Sequence, residues 1–494
     1  MVFKKSINNR MQSKKYMSLL SLLISMVFLF NSFAFVSADE ISGNESGVPL
    51  KDKYIAFEGR NIVGDFVDQR QIPYYSTYFN DTVRNKNGIT SMIEVPLSTV
   101  KNMNGTSIIL SEYEGKQAFL WRRDTEYIEF EVDIPENGVA QLEFDYYLEA
   151  GTSIAANRSM YIDGKYPFIE ANDLIFYRYF KDKGEPITNS LGNETRPSQM
   201  DIPGWRTQKS TNSTGLYKEP FKFFLEKGNH VIRINYIQAD MAISGIRFVA
   251  PEVISSYEEV KKEYIKKGYQ PVSAETIDFQ AELTTLEKND PTLRRESDGD
   301  PLVKPHSATE RLLNVMGGYR WREGNQKITW QIEVPEDGLY KIGIRVKQEW
   351  QDGVPSYRRI EIDDKVPFEE MLDYQFNYST DWNTLELCDA NGNPYEFYLM
   401  AGTHTLSMTA KFGPMTEIIE SINKDILLLS DILLNISLIA GSEPDPNYDY
   451  GFFNKIPNMK EDMQWLVDSM QWKYNELKKM SGKLPAMANN FLTI

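Results

Sequence analysis

The chain has 494 residues, 41% of them hydrophobic and 25% charged, and a formal net charge of -16. At roughly 100 to 200 residues per domain this length predicts about three structural units, and the composition excludes disorder, a collagen-like repeat and a polytopic membrane protein. So acidic a surface repels phosphate backbones, and no Lys/Arg-rich run occurs in the body of the chain, so neutral or cationic partners are expected rather than nucleic acid.

The first 38 residues divide into a basic start (Lys4, Lys5, Arg10, Lys14, Lys15), an apolar stretch from Met17 to Val36, and Val36-Ser37-Ala38 ahead of Asp39-Glu40. That order predicts a secretory signal over 1–38 and a secreted, extracellular or cell-surface protein. The competing reading is an uncleaved anchor helix, because the stretch is almost long enough to span a bilayer. No Cys lies near the cleavage position, so a bacterial lipid anchor is not expected. The single cysteine, Cys388, excludes an intrachain disulfide framework and a Cys metal cluster.

An internal duplication follows. At an offset of 200, Trp121-Arg122 falls on Trp321-Arg322, and Ile134-Pro135-Glu136-Asn137-Gly138 falls on Val334-Pro335-Glu336-Asp337-Gly338. Arg158 then falls on Arg358, Ile162-Asp163 on Ile362-Asp363 and Pro167-Phe168 on Pro367-Phe368. With the offset shortened to 174, Pro220, Phe223, Leu225, Gly228 and His230 fall on Pro394, Phe397, Leu399, Gly402 and His404, so the second copy is 26 residues shorter between the two blocks. Within each copy apolar residues alternate: Ile128, Phe130, Val132 and Leu142, Phe144, Tyr146 in the first, Ile328, Trp330, Ile332 and Ile342, Ile344, Val346 in the second. This is the pattern of half-buried antiparallel strands, and the Pro-Glu-Asn-Gly and Pro-Glu-Asp-Gly turns join them into hairpins. Each copy is predicted to be an all-β sandwich of jelly-roll type, the first over 50–250 and the second over 271–413.

Between them, over 251–270, Tyr257, Val260, Tyr264 and Ile265 recur at helical spacing ahead of Gly268, which predicts a short helical linker. After Pro414 the period becomes 3.6, with Ile418, Ile422, Ile426, Leu429, Leu433 and Ile436, then Met463, Leu466, Met470, Tyr474 and Leu477. Lys424, Asp425 and Asp431 interrupt the apolar run, so 414–494 is predicted as amphipathic helices rather than a membrane span. The first copy closes with a strand around Ile243 to Val249 that has no counterpart before the helices in the second, and a missing strand leaves an unpaired sheet edge.

The blocks Gly317-Gly318-Tyr319, Ile328-Thr329-Trp330, Val334 to Tyr340 and Leu399 to Leu406 resemble the galactose-binding-like carbohydrate-binding modules of families 6 and 35. The order of parts over roughly 54–480 is similar to the N-terminal half of the large extracellular solute-binding proteins of sugar ABC transporters in Paenibacillus and related Firmicutes. The resemblance implies two such modules ahead of a helical region and then solute-binding lobes, and the sequence given stops before any lobes. It implies polysaccharide or oligosaccharide as the partner, transporter membrane components as partners of the part that follows, and a structural Ca²⁺ held through an early-strand Glu. Glu282 matches that position in the second copy and Glu58 only loosely in the first.

Sugars present apolar faces to Trp and Tyr rings and equatorial hydroxyls to Asn, Asp, Arg or Gln. The resemblance places Tyr319 and Trp382 at the cleft of the second copy, and Phe119 and Trp205 at the matching places of the first. Trp121 and Trp321 flank the first of these loops, with core plugs as their alternative reading. Arg158, Arg358, Asp163 and Asp363 recur in register and read either as sugar contacts or as a shared structural pairing, the second being favoured. His230 and His404 share a repeat position and read as structural; His306 stands by itself in a loop, so neither a zinc site nor a Ser-His-Asp triad is expected. The leading expectation is therefore a non-catalytic carbohydrate-binding protein. The alternatives are a cell-surface structural or interaction protein using the sandwiches as spacers, and a polysaccharide-active enzyme.

Overall fold

The computed structural model describes residues 72–273, 276–441, 444–445 and 447–481; the signal segment 1–38 and Glu58 lie outside them. The chain forms two compact units, one holding the helices after Pro414 with the loop Glu349–Pro355, the other holding both β-rich copies.

In the first copy the main strands are β1 (Lys116–Trp121), β2 (Tyr127–Ile134), β3 (Gly138–Tyr147), β4 (Ala156–Ile162), β5 (Phe180–Asp182), β6 (Gln199–Asp201), β7 (Trp205–Lys209), β8 (Gly228–Gln238) and β9 (Met241–Val249). One sheet runs β7-β3-β9-β1 and continues to Ser111–Tyr113; the other runs β2-β8-β4 between the short strands Lys101–Asn102 and Leu174–Phe176. All of the pairings are antiparallel. Alternation sends Leu142, Phe144 and Tyr146 of β3 inward, where with Ile128, Phe130, Ile232 and Ile234 they form the core. Glu143, Asp145 and Tyr147 are left on the outer face.

The helical linker is α1 (Tyr257–Lys267). Ser256 and Glu259 form a reciprocal capping box at its start, and Gly268, at φ 75°, closes it in the left-handed region. Tyr257 packs its ring against Phe368 and Tyr395 and anchors the helix on the second core.

The second copy contributes β10 (Thr285–Lys288), β11 (Lys327–Val334), β12 (Gly343–Gln348), β13 (Ser356–Ile362), β14 (Ser379–Glu386) and β15 (Gly402–Lys411). Its larger sheet has the order β6-β5-β10-β11-β15-β13 and ends on Tyr374–Phe376. The outermost two strands belong to the first copy. Part of the extra length of that copy, which the duplication left unassigned, thus extends the sheet of its neighbour, with Phe180 opposite Lys288. The sandwich opposite is reduced to two ribbons, β12-β14 and Gly338–Tyr340 with Phe397–Leu399. Among the described residues, β14 is the only strand that pairs β12, whereas β3 in the first copy lies between β7 and β9. Ile342, Ile344 and Val346 are accordingly only half-buried where Leu142, Phe144 and Tyr146 are sealed.

The two β-rich copies meet closely. Asn325 Nδ2 donates to Asn212 O at 2.7 Å, Lys411 Nζ donates to Tyr217 O at 2.9 Å, and Arg206 pairs with Glu287 at 2.8 Å. A Cβ on Gly324 would stand 1.9 Å from Thr214 O, so only glycine permits this backbone approach.

In the other unit, α2 (Met415–Ala440), α3 (Phe452–Lys455) and α4 (Met459–Ser481) bury Ile432, Ile456, Met459 and Leu466 together. Asp425, read from sequence as one of the breaks in the apolar face, is buried and pairs with Lys473 at 2.6 Å. It is a core ion pair between two helices rather than a solvated position. No described helix is long and apolar enough to cross a membrane.

Candidate functional site

On β7 and β3, Trp205 stands opposite Tyr147. The hairpin entering β1 brings Tyr113 to the same place: ring centroids lie 5.5 Å apart for Tyr147 and Trp205, 5.4 Å for Tyr113 and Tyr147, and 6.5 Å for Tyr113 and Trp205, all edge-on. The indole Nε1 donates to Glu114 O at 2.9 Å and the Lys116 ammonium lies 5.1 Å from the indole ring. The Tyr113 hydroxyl donates to Glu149, and partial burial followed by that carboxylate pushes its pKa upward, so it stays a hydrogen-bond donor. Further along the same outer face, Asp145 accepts two bonds from the Arg247 guanidinium at 2.7 and 2.9 Å and one from Thr207, while Arg247 Nε donates to Glu143. The Arg247 bonds hold the Asp145 carboxyl below its usual range. A patch of three rings beside a ladder of fixed donors and acceptors offers apolar faces and hydrogen-bonding groups side by side, as a sugar requires.

The second copy is arranged differently. Trp382, on β14, donates its Nε1 to Asp298 at 3.0 Å, and Lys347 approaches the same carboxylate at 3.5 Å. Tyr319 lies in the turn Gly318–Arg320, 53% exposed, with the Arg320 guanidinium 5.0 Å from its ring centroid. Among the described residues no ring contact joins Tyr319 to Trp382.

Trp121 and Phe119 lie in the first core at 1% and 2% exposure and offer no face to a sugar. That corrects the expectation of a ligand contact at Trp121. Its ring instead carries the buried Arg158 guanidinium at 4.4 Å, with Tyr236 at 4.5 Å, while the guanidinium donates to Asn157 O, Gln238 O and Ala239 O. Trp321 repeats this role, 4.5 Å from Arg358 and packed against the second core, with its Nε1 on Gln326 O. The repeated histidines are equally regular. His230 Nδ1 meets Asp163 at 2.7 Å and Nε2 meets Glu226 O, while His404 Nδ1 meets Asp363 at 2.6 Å and Nε2 meets Met400 O.

Glu282 is 3% exposed and burial raises its pKa; its Oε1 has no hydrogen-bond partner. Ca²⁺ takes six to eight oxygens, yet among the described residues no group of three His, Cys, Asp or Glu side chains comes together. One buried carboxylate does not supply that donor set, so no role is derived for the ion.

Tyr113 and Tyr147 escaped the sequence reading. Tyr147 was signalled only by its phase: it follows the inward Tyr146 and therefore points out.

No protein-family model matches the chain, and no curated protein matches it. Among solved structures, a family 35 carbohydrate-binding module from Clostridium thermocellum is similar at 18% identity, with a TM-score of 0.19, over 33% of this chain and 100% of that one. A family 35 module from Paenibacillus barcinonensis is similar at 16% identity, TM-score 0.17, over 33% of this chain and 96% of that one. A cycloisomaltooligosaccharide glucanotransferase from a Paenibacillus species is similar at 12% identity, TM-score 0.22, over 65% of this chain and 47% of that one.

Proposed function

We propose that this is an exported, non-catalytic carbohydrate-binding protein whose glycan contact is the outer face of the first sandwich. The observation that carries the reading is the half-buried Tyr113, Tyr147 and Trp205 patch lying beside the Asp145–Arg247 ladder on the outer face of one sheet. Rings in the interior stabilise a core wherever they sit, whereas half-buried rings grouped on the outer face of a sheet keep part of their apolar surface within reach of a ligand. The resemblance in the order of parts adds a second element to the proposal: the chain would be the polysaccharide-holding front of a sugar-uptake system.

The test is affinity electrophoresis of residues 39–494 through gels loaded with plant cell-wall polysaccharides. Retention by one glycan class, lost at least tenfold in Trp205→Ala with an unchanged circular dichroism spectrum, is the expected result. Unchanged retention in Trp205→Ala and in Tyr147→Ala removes this face from binding. Release of reducing sugar from a retained polymer would overturn the non-catalytic part.

A further inference from the structure

The two long helices α2 and α4 meet through heptads. In α2, Met415, Ile422, Leu429 and Ile436 recur every seven residues, as do Ile418, Asp425, Ile432 and Ile439. In α4 the corresponding series are Met459, Leu466, Lys473 and Met480, then Met463, Met470 and Leu477. The apolar members form two clusters, one around Ile432, Met459 and Leu466 and one around Ile418 and Leu477. Each seam holds one charged residue, Asp425 on α2 and Lys473 on α4, and along both helices it falls between the two clusters. The two meet there with side chains 7% and 1% exposed. Lys473 Nζ donates to Asp425 at 2.6 Å and to Ser469 Oγ at 2.5 Å, Ser469 donates to Asp425 at 3.0 Å, and Ser421 Oγ lies 3.2 Å from Ser469 Oγ.

Burial pushes the Asp425 pKa up and the Lys473 pKa down, each against the pull of the other residue. Attraction between two enclosed charges does little more than offset their lost hydration, so an apolar pair at these positions would hold the helices together equally well. An apolar pair cannot choose a register. A heptad seam matches itself again after a slide of seven residues, about 10 Å along the helix axis. After such a slide in this antiparallel pair, Asp425 would face Leu466 or Met480, and Lys473 would face Ile418 or Ile432, while the other seam positions would still find apolar partners. Every slid register thus strands two charges in apolar surroundings. Rotation of α2 is constrained in the same way. Leu427, Leu434 and Leu438 form a second apolar stripe on that helix, 38%, 59% and 73% exposed, so burial by itself does not decide which stripe faces α4. We propose that the Asp425–Lys473 pair is the register key of this hairpin, fixing which turn of α2 packs on which turn of α4 and which leucines are left outward. The inference is independent of the glycan contact.

The test is a distance measurement on the full chain carrying Cys388→Ser, with spin labels at Asn423→Cys and Gln464→Cys, exposed positions on α2 and α4. With the pair intact a single distance is expected. Asp425→Leu combined with Lys473→Leu completes both apolar seams; it should keep the helical circular dichroism signal and add at least one further distance several ångströms from the first. Asp425→Lys combined with Lys473→Asp reverses the pair and should return a single distance. One unchanged distance in the double-leucine variant overturns the proposal, because the register then holds without the charges. Loss of the helical signal in that variant also overturns it, by making the pair a source of stability rather than of register. Several distances in the reversed pair do the same.

Discussion

Lys411, the last residue of β15, tests how tightly the two β-rich copies are joined. Its ammonium donates to Tyr217 O at 2.9 Å and Asn325 Oδ1 at 2.7 Å, and Asn325 itself donates to Asn212 O. Burial, followed by repulsion from Arg359, pulls its pKa from 10.5 down to about 7, although Glu361 opposes the shift. The neighbouring Glu361 is pushed up by burial but held down to about 2 by Lys327 and Arg359, so the charge that Lys411 faces does not change near neutrality. A lysine with a depressed pKa is protonated in the unfolded chain and neutral in the folded one between those two values. The unfolded state therefore binds more protons there, and stability rises with pH. At about 1.4 kcal/mol per pH unit, one such group gives about 2 kcal/mol between roughly pH 7 and pH 9, less where water screens the partly exposed stem. Tyrosines with raised pKa values pull stability the other way at the alkaline end, but they do so in any variant. The measurement is therefore a difference: urea unfolding of the protein and of Lys411→Met at pH 7, 8 and 9. The stability of the protein minus that of the variant should grow by about 1–2 kcal/mol across this range. A difference that stays flat or shrinks would refute an ammonium enclosed at this junction.

Arg158→Leu removes the guanidinium bonds to three backbone carbonyls of the first copy and should cost about 3 kcal/mol in urea unfolding; Arg358→Leu, which removes bonds to Tyr357 O and Trp321 O only, should cost less. A negligible loss in both would mean the enclosed guanidinia contribute little, and an equal or larger loss in Arg358→Leu would refute the ranking. Burial lowers the pKa of His230 and His404, but the bonds to their aspartates and to backbone carbonyls outweigh it and raise both above the usual value. Each pair thus stabilises the fold fully below the unfolded histidine pKa and loses that contribution as pH rises through the folded value. NMR titration should place both imidazoles above 6.5, and Asp363→Asn should move His404 alone downward.

Much of this architecture is legible because a period of two is a strong signal wherever one sheet face is buried. Ile128, Phe130, Val132 and Ile134 read as a strand without further help, and the Pro-Glu-Asn-Gly turn then sets the register of the next. Recurrence across the duplication also separates structure from ligand contact: Arg158 and Arg358 recur because both are enclosed by a Trp ring and backbone carbonyls. The extra segment between β5 and β6 was opaque for the opposite reason. Some of its partners lie in the other copy, as in the bonds of Asn193 and Glu194 to Arg311 and Leu313, and a two-residue strand such as Ile187–Thr188, exposed on both faces, carries no alternation. Asp425 misled because a buried ion pair looks, in one dimension, like a break in an apolar face; only Lys473, 48 residues on, shows otherwise.

The two copies have also diverged in a coordinated way that bears on function. In the first, Glu143 and Asp145 are held by Arg247, a residue of β9. The second has no described strand in that position, and there Glu143 is replaced by Gly343 and Asp145 by Arg345, which bonds Thr384 and Leu302 O instead. Tyr147, central to the aromatic patch, becomes Lys347, which faces Asp298. The acids, the arginine that pairs with them and the ring beside them thus have no counterpart at the matching described positions of the second copy. A surface changed at every outward position of one strand presents different groups to a partner, so a ligand held on this face of the first copy would not meet the same contacts on the second. The proposed glycan contact is therefore specific to the first sandwich, while the second presents Arg345 and Lys347 at the matching positions.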